Sequence, residues 1–284
     1  MFLLFDIGGS KMRLVVTDNS QSFGEPRIVA TPHDFEKAIK VFRKIFNEIS
    51  KGSQIKAVAG GVRRFDSSRE TLRTDFGLPG WSGKPLKDKL AEIVNAPIYL
   101  ENDAALVGLG EAVRGAGRGY SVVVYMTIST GVGGVRIVDK KIDKNKFGFE
   151  PGHQIIDFDW SVFPGYKVSK EDHLGQFEAY VSGTSIEKRL GKKAHEVTDE
   201  KVWDEISKLV AVGLNNTIVH WSPDVVVLGG GMMKSPGISI DKVKQYLKEI
   251  LTIFPEQPEI KKAELGELGG LHGALHYIKQ QYLD

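Results

Sequence analysis

Two short stretches of this sequence set hydroxyl side chains among glycines, Asp6-Ile7-Gly8-Gly9-Ser10-Lys11 and Ser129-Thr130-Gly131-Val132-Gly133-Gly134. Glycine has no side chain to hold a ligand off the backbone, so successive N–H groups in such turns can converge on phosphate oxygens, with Ser10 and Thr130 as further donors. A third cluster, Gly229-Gly230-Gly231, follows an apolar run. Phosphoryl transfer to an alcohol also needs a cation at the phosphates and a group that takes the hydroxyl proton. Asp6, at the end of one apolar run, and Asp103, just after another, stand in the right places for these tasks. Each feature has an ordinary reading as well. A lone Gly-Gly-Ser turn closes a hairpin, Asp6 can bond its own backbone, and Asn102 or Asp103 is a natural helix N-cap. Two such turns in corresponding places, with the third cluster, point to a nucleotide held in a cleft between two halves.

These residues need elements to position them. Residues 2–7 read as a buried strand and 12–17 as a second strand, so the first glycine turn is predicted to join a hairpin. The Walker phosphate loop and the dinucleotide fingerprint both require a helix directly after the glycines, and no helical period starts here. The pattern recurs at 122–128 and 135–139, on either side of the second turn, which marks an internal duplication with one copy opening each half. Apolar spacing of three and four predicts a helix over 34–50, and further helices over 85–95, 104–113, 201–220, 240–251 and 269–281, with a short one around 175–181. Strands are expected at 55–59, 97–100 and 225–228. Residues 62–83, with Arg63, Arg64, Arg69 and Arg73 among turn formers, read as a loop-rich excursion.

At 284 residues the chain has room for about two domains of ~150. The linker-like run Arg114-Gly115-Ala116-Gly117-Arg118-Gly119 sets the expected division: 1–115 as a smaller N-terminal domain, 116–268 as a larger one, and the closing helix 269–284 as a segment that can rejoin the first. A net charge of +2 gives no footprint for nucleic acid or an anionic membrane. With no cysteine, disulfides, a thiolate nucleophile and Cys-ligated metals are excluded. The apolar run at the N-terminus stops at Asp6, too short for a membrane span or secretory signal, so a cytoplasmic protein is expected.

The chain resembles the sugar kinases of the ROK (repressor, open reading frame, kinase) family over nearly its whole length. The resemblance is carried by Asp6-Ile7-Gly8-Gly9-Ser10-Lys11, Leu78-Pro79-Gly80-Trp81, Glu101-Asn102-Asp103-Ala104, Thr127 to Gly134, Glu150-Pro151-Gly152-His153, Glu178-Ala179-Tyr180-Val181-Ser182-Gly183 and Leu228-Gly229-Gly230-Gly231, in family order. It implies an α/β, two-domain actin-like ATPase fold of the hexokinase type, ribonuclease H-like, with nucleotide and sugar in the interdomain cleft. It implies ATP and Mg²⁺ as cofactors, with Asp6 near the Mg²⁺, and Gly8, Gly9, Ser10, Lys11, Thr130 and Gly131 at the phosphates. Gly229, Gly230 and Gly231 would line the adenosine. Asp103 would be the base for the sugar hydroxyl, and Asn102, Glu150, His153 and Glu178 the sugar ligands. A homodimer and a small-molecule sugar partner are implied likewise.

The sequence departs from the family in three places. Relatives hold structural zinc with three cysteines between the motifs that start at Glu150 and Glu178, together with the histidine matched by His153; without cysteine, zinc is not expected here. Asp157, Asp159, Asp172 and His173 have no recognisable ligand spacing. The brace for His153 is instead expected from Phe158, Trp160, Phe163 and Tyr166, with Asp157 or Asp159 orienting the imidazole. Ser129 stands for a glycine, and Gly77 for an asparagine that many members carry, which bears on the substrate. The expected reaction is phosphorylation of a hexose, first of all glucose at its 6-hydroxyl, with an N-acetylhexosamine as the alternative. Two rivals are a sugar-sensing repressor, for which no helix-turn-helix is expected ahead of the strand that starts at Phe2, and an actin-like scaffold, which would need no sugar ligands.

Overall fold

The computed structural model describes residues 1–19, 21–63, 65, 71–73, 78–159, 161–163, 166 and 175–283. The chain forms two compact units. One comprises Met1–Arg114, Lys144–Gly148 and Glu267–Asp284, and the other Gly115–Asp143 and Phe149–Gly266.

The first unit starts with the expected hairpin, β1 (Phe2–Ile7) and β2 (Lys11–Thr17), antiparallel with Asp6 opposite Arg13. Every residue of β1 is buried, because it is the central strand. On one side β2 pairs with β3 (Arg27–Ala30), which no apolar run announced. Helix α1 (Phe35–Ser50) follows, capped by Asp34, whose side chain accepts from Lys37 N–H at 2.8 Å. It leads to β4 (Ala57–Val62), parallel to β1. This strand starts two residues later than expected and ends three later, because Gly60 and Gly61 continue the ladder opposite Phe5 and Asp6 rather than ending it. Trp81 is buried edge-on against Phe35 and donates its indole N–H to Pro32 O at 3.1 Å, so the Leu-Pro-Gly-Trp motif anchors the start of α1. After α2 (Leu86–Ala91), shorter than predicted, β5 (Ile98–Asn102) pairs parallel with β4 and passes directly into α3 (Asp103–Arg114).

The second unit repeats this plan. Strand β6 (Val122–Ile128) is antiparallel to β7 (Val132–Val138), and β7 to the two-residue β8 (Lys141–Ile142). Strand β7 begins three residues earlier than the sequence suggested, so Gly133 and Gly134 lie in the ladder. Gly134 is needed there because a side chain would strike Pro151 and the carbonyl of Tyr125. Helices α4 (Glu178–Val181), α5 (Gly183–Leu190) and α6 (Glu200–Trp221) lead to β9 (Val225–Gly229), parallel to β6. Helix α7 (Ile240–Ile250) and β10 (Glu259–Lys262), parallel to β9, complete the sheet. The strand orders, β3-β2-β1-β4-β5 and β8-β7-β6-β9-β10, match one for one, with the same directions. The duplication seen in two turns therefore extends over whole sheets.

The closing helix α8 (Gly269–Ile278) belongs to the first unit and packs on α3. Glycines let the backbones touch: a Cβ on Gly110 would strike Gly269 O, and one on Gly273 would overlap Leu106 O. Among the described residues no helix is long and apolar enough to cross a membrane. Forcing a methyl group into the α3–α8 contact should cost about 1–3 kcal/mol. Gly273→Ala is therefore expected to lower the urea midpoint, whereas Gly24→Ala, which meets open space, should leave it nearly unchanged.

Candidate active site

In the first unit the Asp6 carboxylate sits at the end of β1, buried, with Arg13 Nη1 at 3.0 Å from across the hairpin. Burial, then the charge of Asp103, push its carboxyl up to about 7 against the pull of Arg13. Two carboxylates thus share a neighbourhood with one guanidinium. The turn between the strands uses part of its own polarity: Gly8 N–H donates to Lys11 O at 2.9 Å, and Thr31 Oγ1 donates to Gly8 O at 2.8 Å. Ser10 and Lys11 are exposed. The Lys11 ammonium lies 2.8 and 3.0 Å from the two carboxylate oxygens of Glu267, which also accepts from Arg13 Nη2 at 3.1 Å. Those hydrogen bonds, first from Lys11 and then from Arg13, hold the Glu267 carboxyl below the usual range. The sequence analysis named neither: the register of the hairpin could have pointed to Arg13 opposite Asp6, whereas Glu267, 254 residues further along, had no sequence signal.

Asn102 closes β5 and Asp103 opens α3. The bond that reaches three residues into the helix is made by Asn102, whose Oδ1 accepts from Ala105 N–H at 3.1 Å, while Asp103 Oδ1 accepts from the adjacent Ala104 N–H at 2.8 Å. The cap is thus divided between the two, and the longer-range part falls to the amide. Gly61 of β4 lies against Asp103: a Cβ there would stand 3.1 Å from its Cα and 3.6 Å from its Cβ.

In the second unit the turn carrying Ser129, Thr130 and Gly131 is strapped at both ends by the motif that starts at Glu178. Glu178 Oε2 accepts from Val132 N–H at 2.6 Å, and Gly183 N–H donates to Ser129 O at 2.7 Å. A Cβ on Gly131 would lie 2.5 Å from Glu178 Oε2. Thr130 is exposed at the tip. The third glycine cluster joins the same place. Gly229 ends β9, Gly230 takes φ +95° with no room for a side chain beside Ile128 O, and a Cβ on Gly231 would come within 3.5 Å of Ser129 Oγ. The Pro151–His153 turn lies on the start of β7, with Gly152 against Val132 O. His153 Nε2 is 3.9 Å from Glu150 Oε2, and its Nδ1 is 2.7 Å from Gln176 Oε1. The structure therefore gathers Thr130, Gly131, Glu178 and the Gly229–Gly231 run in this unit, with Glu150 and His153 at the two ends of the turn that packs on β7. Asp6, Gly8 to Lys11, Asn102 and Asp103 belong to the other unit.

The brace for His153 differs from expectation. Gln176, not Asp157 or Asp159, meets the imidazole. Asp157 turns instead to Tyr180 Oη at 2.8 Å and to the N–H groups of Ser161 and Val162, tying its loop to α4. Burial pushes its carboxyl up, but these donors bring it below the usual value. Phe158 is 86% exposed and joins no core, because the residue before it, Asp157, takes the inward position. Phe163 does pack, against Tyr180, Tyr166 and the Arg189 guanidinium. Trp160, Asp172 and His173, like Arg64, Arg69 and Gly77, lie outside the described residues. Among the described residues no group of three or more His, Asp or Glu side chains is arranged to hold a metal ion. A hydrogen bond to a charged acceptor contributes about 1.5–3 kcal/mol. Glu178→Ala is expected to lower the unfolding free energy by that order and to speed amide exchange at Val132, whereas Glu178→Gln, which keeps an acceptor, should preserve most of both.

The ROK family model matches residues 3–281. A relative from Escherichia coli O127:H6, an N-acetyl-D-glucosamine kinase, is 27% identical over 96% of this chain and 98% of its own. Among solved structures, the ROK hexokinase from Thermus thermophilus is similar with a TM-score of 0.79 at 23% identity, covering 99% of each chain. A ROK family glucokinase from Streptomyces griseus, in complex with glucose and AMPPNP, is similar with a TM-score of 0.75 at 23% identity, covering 98% of this chain and 99% of its own. The repeated sheets are those of the two-domain actin-like fold of these structures, and with a family model spanning nearly all of its length the chain belongs to the ROK family.

Proposed function

We propose that the chain is an ATP-dependent sugar kinase that transfers the γ-phosphoryl group of ATP to a hydroxyl of a hexose. The observation that carries this reading is the placement of Asp103. It follows the strand parallel to β4 and stands at the N-terminal end of α3, with Asn102 making the longer-range cap bond. In this reading the sugar hydroxyl oxygen bonds to the γ-phosphorus as the bond to the β-phosphate oxygen breaks. The hydroxyl proton passes to the Asp103 carboxylate, and the products are sugar phosphate and ADP. Asn102, Glu150, His153 and Glu178 bind the sugar; amide, carboxylate and imidazole can each distinguish hydroxyl directions.

The glycine turns at Gly8 to Lys11 and at Thr130 and Gly131 hold the phosphates, and Gly229 to Gly231 line the adenosine. Contact between that last cluster and Ser129 supports the pairing of adenosine and phosphate sites. Mg²⁺ supplies charge neutralisation at the phosphates, and it is usually held by one or two carboxylates together with phosphate oxygens. Asp6 fits that requirement: its carboxylate is an oxygen donor whose neighbour Asp103 adds negative charge beyond what Arg13 balances.

Glucose, phosphorylated at its 6-hydroxyl, is the first substrate of this reading. N-acetylglucosamine is the second, favoured by the name of the curated relative at 27% identity. Sugar-dependent ADP release across glucose, mannose, N-acetylglucosamine and N-acetylmannosamine separates them by kcat/KM. Asp103→Asn keeps the shape of the side chain and removes its basicity. We expect kcat to fall by ~10²-fold or more with calorimetric sugar affinity nearly unchanged. Turnover near the wild-type rate would return Asp103 to the role of a helix cap.

A further inference from the structure

We infer that Glu267 is an internal anion that competes with the nucleotide for the first glycine turn, holding Lys11 and Arg13 as a phosphate group would and giving them up when phosphate oxygens arrive. This rests on the reading of Gly8 to Lys11 as a phosphate site. Lys11 and Arg13 are the first and third residues of β2, so their side chains leave the same face of the strand. The Lys11 ammonium donates to both carboxylate oxygens of Glu267, at 3.0 and 2.8 Å, and Arg13 Nη2 donates to one of them at 3.1 Å. Two cations thus converge on one acidic group. Phosphate oxygens accept charge-assisted hydrogen bonds from the same donors, and a terminal phosphate carries more charge on three oxygens than a carboxylate on two.

The backbone of the turn keeps its shape without Glu267. Gly8 O accepts from Thr31 Oγ1 at 2.8 Å, Ser10 O from Thr31 N–H at 3.0 Å, and Lys11 O from Gly8 N–H at 2.9 Å. Three carbonyl oxygens, each of which would repel phosphate, are thereby engaged. Arg13 is fixed separately. Its Nη1 donates to the buried Asp6 carboxylate at 3.0 Å, so of its two ion pairs only the one with Glu267 is open to exchange. Among the described residues its Nε is buried without an acceptor, which leaves the guanidinium short of partners before any exchange.

Glu267 is placed to leave. Its side chain and that of Lys11 are both half-exposed, an environment in which an ion pair contributes little. Its backbone lies in the short turn Gly266–Leu268 directly ahead of α8, whose Gly270 rests against the Asp6 carboxyl group. The helix is therefore committed to Asp6, and rotation of the Glu267 side chain alone would release both cations. A phosphate ligand must break the Glu267 bonds or stand beside its charge. Removing that charge should tighten nucleotide binding, whereas losing a residue that merely orients Lys11 would weaken it.

Calorimetric titration of the full chain with ATP, in the absence of sugar, reads the exchange. Glu267→Gln keeps the shape of the side chain and removes its charge. The ATP Kd is expected to fall about fivefold, the size of one exposed ion pair, while the Kd for adenosine, which has no phosphate, stays at its wild-type value. Glu267→Ala should move ATP in the same direction, and decides the matter should the glutamine variant fail to fold. An ATP Kd equal to or weaker than wild type would overturn the inference. In a Lys11→Met chain the gain from Glu267→Gln should shrink to about twofold or less, because the main cation to be released is gone. The full gain in that chain would also overturn the inference, since the effect would then be that of a distant charge. Sugar-dependent ADP release separates the kinase reading. Tighter ATP binding without such release leaves the inference standing and ends the kinase reading, and turnover with an unchanged ATP Kd ends the inference alone. ATP binding to neither the wild-type chain nor Glu267→Gln would remove the phosphate reading of the turn and the inference with it.

Discussion

Three acidic residues proposed for the site each rest against a glycine, and this constraint shapes much of the molecule. A Cβ on Gly270 would stand 2.8 to 3.1 Å from the Asp6 carboxyl group and one on Gly131 2.5 Å from Glu178 Oε2, while Gly61 lies against the Cα and Cβ of Asp103. A carboxylate seated on a bare Cα can lie close to the backbone, where N–H groups satisfy part of its charge while its remaining lone pairs stay available. The glycines come from different elements: the first turn of α8, the interior of β4 and the hairpin turn after β6. Each must be delivered by the fold to one particular acid. Helix α8 reaches Asp6 only because Gly110 and Gly273 let it press onto α3, so the packing of two helices controls the setting of a carboxylate at the end of β1.

The charge at Asp6 shows what this seating costs and what it permits. An isolated buried carboxylate is expensive, and a second one nearby makes it more so. Arg13 offsets part of the cost from the facing position of the hairpin, which is why its register matters electrostatically as well as sterically. Glu267 then competes for the same guanidinium and also takes the Lys11 ammonium. Lys11 and Glu267 are each about half-exposed, so their pairing is the weakest link of the chain and the one most easily exchanged for another anion. Asp6 and Arg13, both nearly buried, form its fixed part.

Features governed by neighbours in sequence were legible, and features governed by distant partners were not. The mostly apolar stretches at 2–7 and 122–128 announce central strands because a strand with sheet on both flanks is buried, and the glycine turns announce the hairpins that follow them. The same glycines misled where they sat inside a ladder. Gly60, Gly61, Gly133 and Gly134 look like turn formers, but they are strand residues, and the missing side chains of Gly60, Gly61 and Gly134 make room for Phe5, Asp103 and Pro151. Strands β3 and β10, short and partly exposed, gain their place from the sheet edge they cover rather than from their own apolarity.

The support of His153 shows the limit of reading residue types without their directions. Four aromatics within nine residues look like a small core, yet Phe158 faces outward while Asp157 is drawn in by Tyr180 and two backbone N–H groups. Polar satisfaction decides which side of the loop is buried: a carboxylate with three donors within reach is held inward, and the residue after it is turned away. The imidazole is held on the same terms. A short antiparallel pairing between 154–157 and 175–177 brings an amide oxygen to Nδ1, with no need for apolar mass beneath the ring.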